Sequence, residues 1–308
     1  MLTFCTAAIV FFIGGALHAG FLRWTALSSV LVLASFIGFV GAGQTLAILT
    51  GGIDLSVPWV ITAGGVMVTS LAASSSARAA WAVPATLAMG AGIGAVNGIG
   101  ITVLAVPPIV MTLGMNGVVE GLVLWLTNGF TTSASKAGTP NVITQAALSK
   151  IAGVVPVDLV IWAAVGVIMW LMLSRLVIGR WIYAIGNNPL AAFLAGGRTR
   201  VYLIAVYALS GGFSALTGIM LAGYSGQATL SVGDPYLFSS ITAVVVGGAS
   251  ILGGRGNYLG TIAGAILVMM LATVLELANI PVAAQDIVYG AVILSALALY
   301  AQHTAAEG

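Results

Sequence analysis

The sequence predicts an all-α polytopic membrane protein of about ten transmembrane helices, arranged in two inverted halves that contain broken helices. Charged residues make up only 5% of the 308 residues, against roughly 25% in a soluble domain, so the chain cannot cover a water-facing surface. Hydrophobic residues make up 60% and the mean hydropathy is +1.15. The 41 glycines suit helices that pack through small residues or break inside the membrane.

Apolar stretches separated by polar segments mark the individual spans, each near the ~20 residues that a crossing needs. The predicted spans are 3–18, 25–49, 57–74, 80–104, 107–127, 157–175, 201–222, 237–252, 258–278 and 283–301. The first apolar run lacks a basic segment before it, and a second run follows closely. We therefore interpret it as a retained span and not as a cleaved signal.

The chain is predicted to form one membrane domain, 1–308, with halves of about 1–128 and 157–308. The polar segment 129–156 divides five spans from five. A second polar segment, 175–200, carries four arginines and no acid, so the positive-inside rule places it in the cytoplasm. Counting crossings from that segment places 129–156 in the periplasm.

Two glycine-broken runs resemble each other, namely Ala47–Val68 and Val245–Met269. Each has an interrupted apolar stretch followed by a helix rich in small residues. We expect the two runs to enter the membrane from opposite sides, which is the pattern of inverted repeats around a central pathway.

The segment Gly51–Pro58 places two glycines, an acid, a hydroxyl and a proline between two apolar helices. Asp54 or Ser56 can cap the amides of the next helix, and Pro58 fits its first turn. An ionisable side chain near a membrane break is also expected to face a polar pathway, because burying it unpaired is costly. The two interpretations are compatible.

Other hydrogen-bonding side chains at membrane depth can either contact a polar substrate or join helices at ~0.6 kcal/mol on average. Together with the break, they give the candidate pathway residues Gln44, Asp54, Ser56, Trp59, Asn97, Thr112 and Asn116. Tryptophans near predicted span ends are expected at the membrane surface; these are Trp24, Trp81, Trp125 and Trp162.

The segment 186–197 predicts a short helix within the arginine-rich loop, with Asn187 or Asn188 as N-cap, proline in its first turn and glycine at its end. Its exposed face would carry Leu190, Phe193 and Leu194. Such a helix either lies on the membrane surface or docks a partner protein, and we favour docking.

Several motifs together resemble the ribose-type permease subunits of bacterial ABC importers, from about residue 25 to 300. They are GGIDLSV at 51–57, Asn97-Gly98, PPIVMTLG at 107–114, GRWIYAIGNNPLAAFLAG at 179–196 and VVVGGASILGGRGNYLGTIAGA at 244–265. Pro58, Glu120 and Phe238-Ser239-Ser240 depart from the usual pattern and leave the sugar open.

The resemblance implies a bacterial inner-membrane protein that works with a second permease subunit, the same or divergent. Two ABC ATPase subunits would dock on cytoplasmic coupling helices, and a periplasmic sugar-binding protein would deliver a monosaccharide. The pathway would involve the helices around 51–56 and 247–254. The implied coupling residues are Asn188, Pro189, Leu190, Ala192, Phe193, Leu194 and Gly196.

The residue inventory argues against an enzyme. No lysine stands in a Walker A motif, so ATP hydrolysis is expected on a separate subunit. One cysteine and two histidines provide neither a metal cluster nor a nucleophile–base pair, and we expect no metal or cofactor. The thinly scattered basic residues do not form a stripe that would bind nucleic acid.

The cargo is predicted from the charges. Apart from Arg175 at the end of a span, the proposed bundle contains no lysine or arginine, so its amides, hydroxyls and glycine backbone suit a neutral polyol better than an amino acid carboxylate. Two alternatives stay open. The same importer type can carry branched-chain amino acids or nucleosides, or the chain is an ion-coupled secondary carrier in which Asp54 or Glu120 binds a proton or sodium ion.

Overall fold

The computed structural model describes residues 2–129, 138–281, 283–291 and 293–294. Its helices are α1 (Leu2–Leu17), α2 (Trp24–Leu49), α3 (Val57–Ala72), α4 (Ser76–Thr102), α5 (Pro108–Thr127), α6 (Asn141–Leu148), α7 (Val157–Ser174), α8 (Val177–Asn187), α9 (Pro189–Leu194), α10 (Thr199–Ser225), α11 (Tyr236–Val246) and α12 (Tyr258–Leu277). A 3-10 turn, Ala19–Leu22, joins α1 to α2. Strands β1 (Lys150–Ile151) and β2 (Val155–Pro156) pair antiparallel. Residues 283–291 are also helical.

The all-α membrane fold is confirmed, with a helix at each predicted span. Within the described part of the chain, six helices are long and apolar enough to cross a membrane: α2, α4, α5, α7, α10 and α12. The predicted span 237–252 is wrong at its end, because α11 has only 11 residues and stops at Val246. A helix of that length reaches about 16 Å, half of the ~30 Å hydrocarbon core. The predicted span 283–301 lies partly outside the described residues.

The helices α2 and α10 form the centre of the bundle. Helix α10 packs against α2, α3 and α4, whereas α2 also packs against α11 and α12. Nearly every residue of α2 from Val32 to Leu49 is buried. Since α10 from the second half lies among helices of the first, the two halves interleave and form one body.

Glycine spacing explains the close contact between α4 and α10. Gly90, Gly94 and Gly98 recur every four residues on one face of α4. A Cβ on Gly94 would collide with the backbone carbonyl of Tyr207, and one on Gly90 with that of Gly211. These positions confirm the expected packing through small residues.

One of the predicted surface tryptophans lies in the core. Trp162 is 6% exposed, and its indole Nε1 donates to the Tyr258 hydroxyl at 3.1 Å. That hydroxyl donates in turn to the Gly38 carbonyl at 2.8 Å. The prediction for Trp162 was wrong because Gly38 lacks a side chain and leaves a slot that the ring fills. The other three tryptophans are exposed.

The two polar segments lie at opposite ends of the bundle. Helix α7 begins directly after the β1–β2 hairpin and ends at the arginine-rich loop, and its 18 residues span about 27 Å. The first segment also contains α6, which the sequence analysis did not anticipate. Helix α6 packs on α10, where Gly223 lies against Ile143.

Replacing Gly94 with alanine should force α4 away from α10 and lower the free energy of unfolding by about 1–3 kcal/mol, the usual cost of overpacking. Gly92 on the same helix is the matched control, because nothing lies within 4 Å of its would-be Cβ. Gly92→Ala should be neutral or slightly stabilising, since alanine favours helix over glycine. Thermal unfolding in detergent measures both, and equal melting temperatures would contradict this account of the contact.

Candidate functional site

The break between α2 and α3 turns the chain back into the bundle. After Leu49, Gly51 adopts a left-handed φ of +81°, and its N–H donates to the Ile48 carbonyl at 2.9 Å. The Gly52 N–H donates to the Ala47 carbonyl at 3.0 Å. The chain then runs without helical structure to Ser56, so its backbone groups need partners from outside the segment.

The side chain of Gln44 supplies two of those partners. Its Nε2 donates to the Asp54 carbonyl at 3.0 Å, and its Oε1 accepts from the Asp54 N–H at 3.1 Å. The amide therefore pairs with the backbone as a neighbouring β-strand would. Gln44 itself is completely buried, so both bonds are shielded from water.

Helix α5 holds the same segment from another side. The hydroxyl of Thr112 accepts from the Leu55 N–H at 3.0 Å and lies 3.2 Å from the Ile53 carbonyl. It also lies 2.9 Å from the carbonyl of Pro108 in its own helix. Further along, the Oδ1 of Asn116 accepts from the Trp59 N–H at 3.4 Å.

The carboxylate of Asp54 connects the break to α10. Its Oδ1 accepts from the backbone N–H and the hydroxyl of Ser56, at 3.0 and 2.6 Å. Its Oδ2 accepts from the Ser210 hydroxyl at 2.7 Å. Asn97 of α4 completes the network by donating from Nδ2 to the Ser56 hydroxyl at 3.0 Å.

The structure corrects one detail of this break. Ser56 precedes α3, but its side chain makes no capping bond, because its hydroxyl donates to Asp54. Asn116 accepts the first-turn amide of Trp59 instead, whereas Pro58 occupies the first turn as predicted.

All seven candidate pathway residues converge on residues 53–59. All of them except Asn116 are buried, and Asn116 is partly exposed. Two members of the cluster, Ser210 and Tyr207, were not predicted from the sequence. A Cβ on Gly52 would collide with the Tyr207 hydroxyl. Neither residue has a local signal, because each is an ordinary polar position inside a long apolar helix.

The short helix predicted within 186–197 is present as α9. The Oδ1 of Asn188 accepts from the Ala191 N–H at 2.9 Å, Pro189 occupies the first turn, and Gly196 adopts a φ of +85°. Leu190, Phe193 and Leu194 are 67%, 62% and 76% exposed. Ala192 is buried against the protein, so α9 is seated on the bundle with its apolar face open.

The end of α8, directly before α9, contacts two glycine-rich breaks, the one between α2 and α3 and a second one between α11 and α12. The Gly254 N–H donates to the Leu49 carbonyl at 2.9 Å, which joins the second break to the end of α2. Gly186 packs on both backbones at this point. The Tyr183 hydroxyl donates to the Gly256 carbonyl at 2.8 Å, and partial burial raises the pKa of Tyr183, which keeps it a donor.

This junction overturns the expectation for the two glycine-broken runs. They were predicted to enter the membrane from opposite sides, but the Leu49–Gly254 hydrogen bond places both breaks at the same end of the bundle. Their similarity has a local cause. Both turns need glycine because their backbones approach each other and Gly186 too closely for a side chain.

Comparisons with known proteins identify the family of the chain. Residues 26–297 match the family described as branched-chain amino acid transport system / permease component. No solved structure matches the chain.

Curated relatives include import and transport system permeases. The ribose import permease protein of Escherichia coli strain K12 is 34% identical over 88% of this chain and 84% of its own. The fructose import permease protein of Rhizobium meliloti is 33% identical over 83% and 71%, and the D-allose transport system permease protein of Escherichia coli strain K12 is 26% identical over 96% and 90%. The chain therefore belongs to this family of membrane permease components and is a transporter subunit, not an enzyme.

Proposed function

We propose that the chain is the permease subunit of an ATP-driven importer in the bacterial inner membrane, and that it carries a neutral monosaccharide or related polyol. Family membership supports the transport role. The names of the ribose, fructose and allose permeases support the class of cargo. On this proposal the arginine-rich end of the bundle faces the cytoplasm, where four arginines satisfy the positive-inside rule.

The observation that carries the proposal is the attachment of α9. Its open face of Leu190, Phe193 and Leu194 suits an apolar groove on an ATPase subunit. Helix α9 begins two residues after Asn187, whose Nδ2 lies 3.5 Å from the Gly254 carbonyl. A movement of the docked ATPase would therefore reach both breaks through α8.

The pathway is proposed along the open side of α5. Gly114, Gly117 and Gly121 have no atom within 4 Å of a would-be Cβ. Glu120 is partly exposed on the same helix. A carboxylate that faces lipid would be costly, so the open side of α5 suits a water-filled pathway shared with a second permease subunit. Asn116 would then contact the substrate, while the buried members of the cluster brace the break behind it.

The distribution of charge favours a neutral cargo. In the described helices that cross the membrane, arginine occurs only in first turns, at Arg78 of α4 and Arg200 of α10. A carboxylate-bearing cargo would find no basic side chain along the path. The family description nevertheless names branched-chain amino acids, so an amino acid importer is the second candidate.

Uptake by the reconstituted importer tests the proposal. Proteoliposomes that contain the permease with its cognate ATPase should accumulate a monosaccharide only with internal ATP and external binding protein. A protonophore should not reduce uptake. Uptake that follows an ion gradient without ATP would indicate a secondary carrier, and uptake of leucine with no response to sugars would contradict the cargo.

Phe193→Asp should abolish co-purification of the ATPase and lower uptake at least about tenfold, because a charge enters an apolar contact. Val154→Asp is the matched control, since Val154 is an exposed apolar residue at the opposite end of the bundle. The control should keep both properties. Normal uptake by a stable Phe193→Asp permease would show that α9 only lies on the membrane.

A further inference from the structure

A pocket unrelated to the break lies at the end of the bundle opposite to α9. It has a volume of about 460 Å³ and is enclosed by the turn between α1 and α2, the first third of α2 and the last turns of α12. That volume falls in the range of about 300–1,000 Å³ for small-molecule sites.

The pocket changes character along its depth. Its rim carries His18, Arg23 and Glu276, whereas Phe21, Val30 and Leu33 line its apolar part. Arg23 and Leu33 are ten positions apart, which corresponds to about 15 Å along the axis of α2. Trp24, beside the rim, is 48% exposed and marks the level of the lipid head groups. The pocket therefore runs from head-group depth into the hydrocarbon.

The charges at the rim are arranged as two opposite poles. Arg23 precedes the first turn of α2, where the helix dipole is positive, and Glu276 lies in the last turn of α12, where it is negative. Each helix end therefore contributes a partial charge of the same sign as the side chain beside it, so each pole presents one sign of charge to a ligand. Among the described residues, neither side chain forms an ion pair with another.

His18 adds a donor to the positive pole. Its Nδ1 accepts from the Gly20 N–H at 3.2 Å. The neutral ring therefore carries its proton on Nε2 and can donate outward.

We propose that this pocket binds a zwitterionic phospholipid with a phosphoethanolamine head group. The phosphate lies against Arg23, His18 and the amino end of α2, as phosphates do at helix N-termini. The primary ammonium donates to Glu276 at the carboxyl end of α12. The glycerol and the first part of an acyl chain cover Phe21, Val30 and Leu33.

Native mass spectrometry of the delipidated full-length permease tests the site, with phosphatidylethanolamine, phosphatidylcholine and phosphatidylglycerol of identical acyl chains added back. The wild type should retain phosphatidylethanolamine about fivefold better than the other two, because only this lipid offers both a phosphate and a primary ammonium. Equal retention of the three lipids, or a preference for phosphatidylglycerol, would overturn the proposal without any variant.

Two variants then separate the poles. Arg23→Gln should weaken retention of all three lipids, whereas Glu276→Gln should remove only the preference for phosphatidylethanolamine. Arg78→Gln is the matched control, since Arg78 is exposed in the first turn of α4 and does not line the pocket. If both pocket variants, shown to be monodisperse, retain lipid as the control does, the site is elsewhere.

Discussion

An unpaired backbone group inside a membrane bundle costs several kcal/mol, and this constraint governs the break between α2 and α3. The chain leaves α2 at Leu49 and crosses protein interior without helical structure until α3 begins at Val57. Gln44 pairs with the N–H and C=O of Asp54, and Thr112 pairs with the Leu55 N–H and the Ile53 carbonyl, so side chains from two different helices satisfy the middle of the segment. The irregular segment is therefore as strongly determined as a helix, although it has no internal ladder.

Hydrogen bonds of the same kind connect the break to α9, the surface that we assign to the ATPase. Asp54 binds Ser210 of α10, and α10 begins at the end of the arginine-rich segment 175–200. On the other side, Leu49 binds Gly254 beside the end of α8. A shift of α9 thus has two packed routes to the segment that flanks the proposed pathway. Glycine makes the second route possible because three backbones meet where no side chain fits.

Local sequence patterns predicted the features that depend only on neighbouring residues. Examples are the apolar spans, the N-cap of α9 at Asn188 and the position of Pro58 in the first turn of α3. Local patterns also selected seven residues that meet at 53–59, but they did not select Ser210 or Tyr207 of α10. The sequence did not predict that these side chains converge on residues 53–59. Ser210, for example, lies 156 residues from Asp54, and only the packing of α10 brings the two together. The predictions for Trp162 and for the two glycine-broken runs were wrong for the same reason, because distant backbone contacts determine the surroundings of these residues.

Hydrogen–deuterium exchange of the Asp54 and Leu55 amides tests the central claim most directly. In the wild type both amides should exchange as slowly as those of α2, although neither lies in a helix. Gln44→Met keeps the length of the side chain but removes its amide, so exchange at Asp54 should accelerate at least about tenfold, while the middle of α2 stays protected. Wild-type exchange at Asp54 as fast as at the exposed Gly226–Gln227 turn would contradict the account.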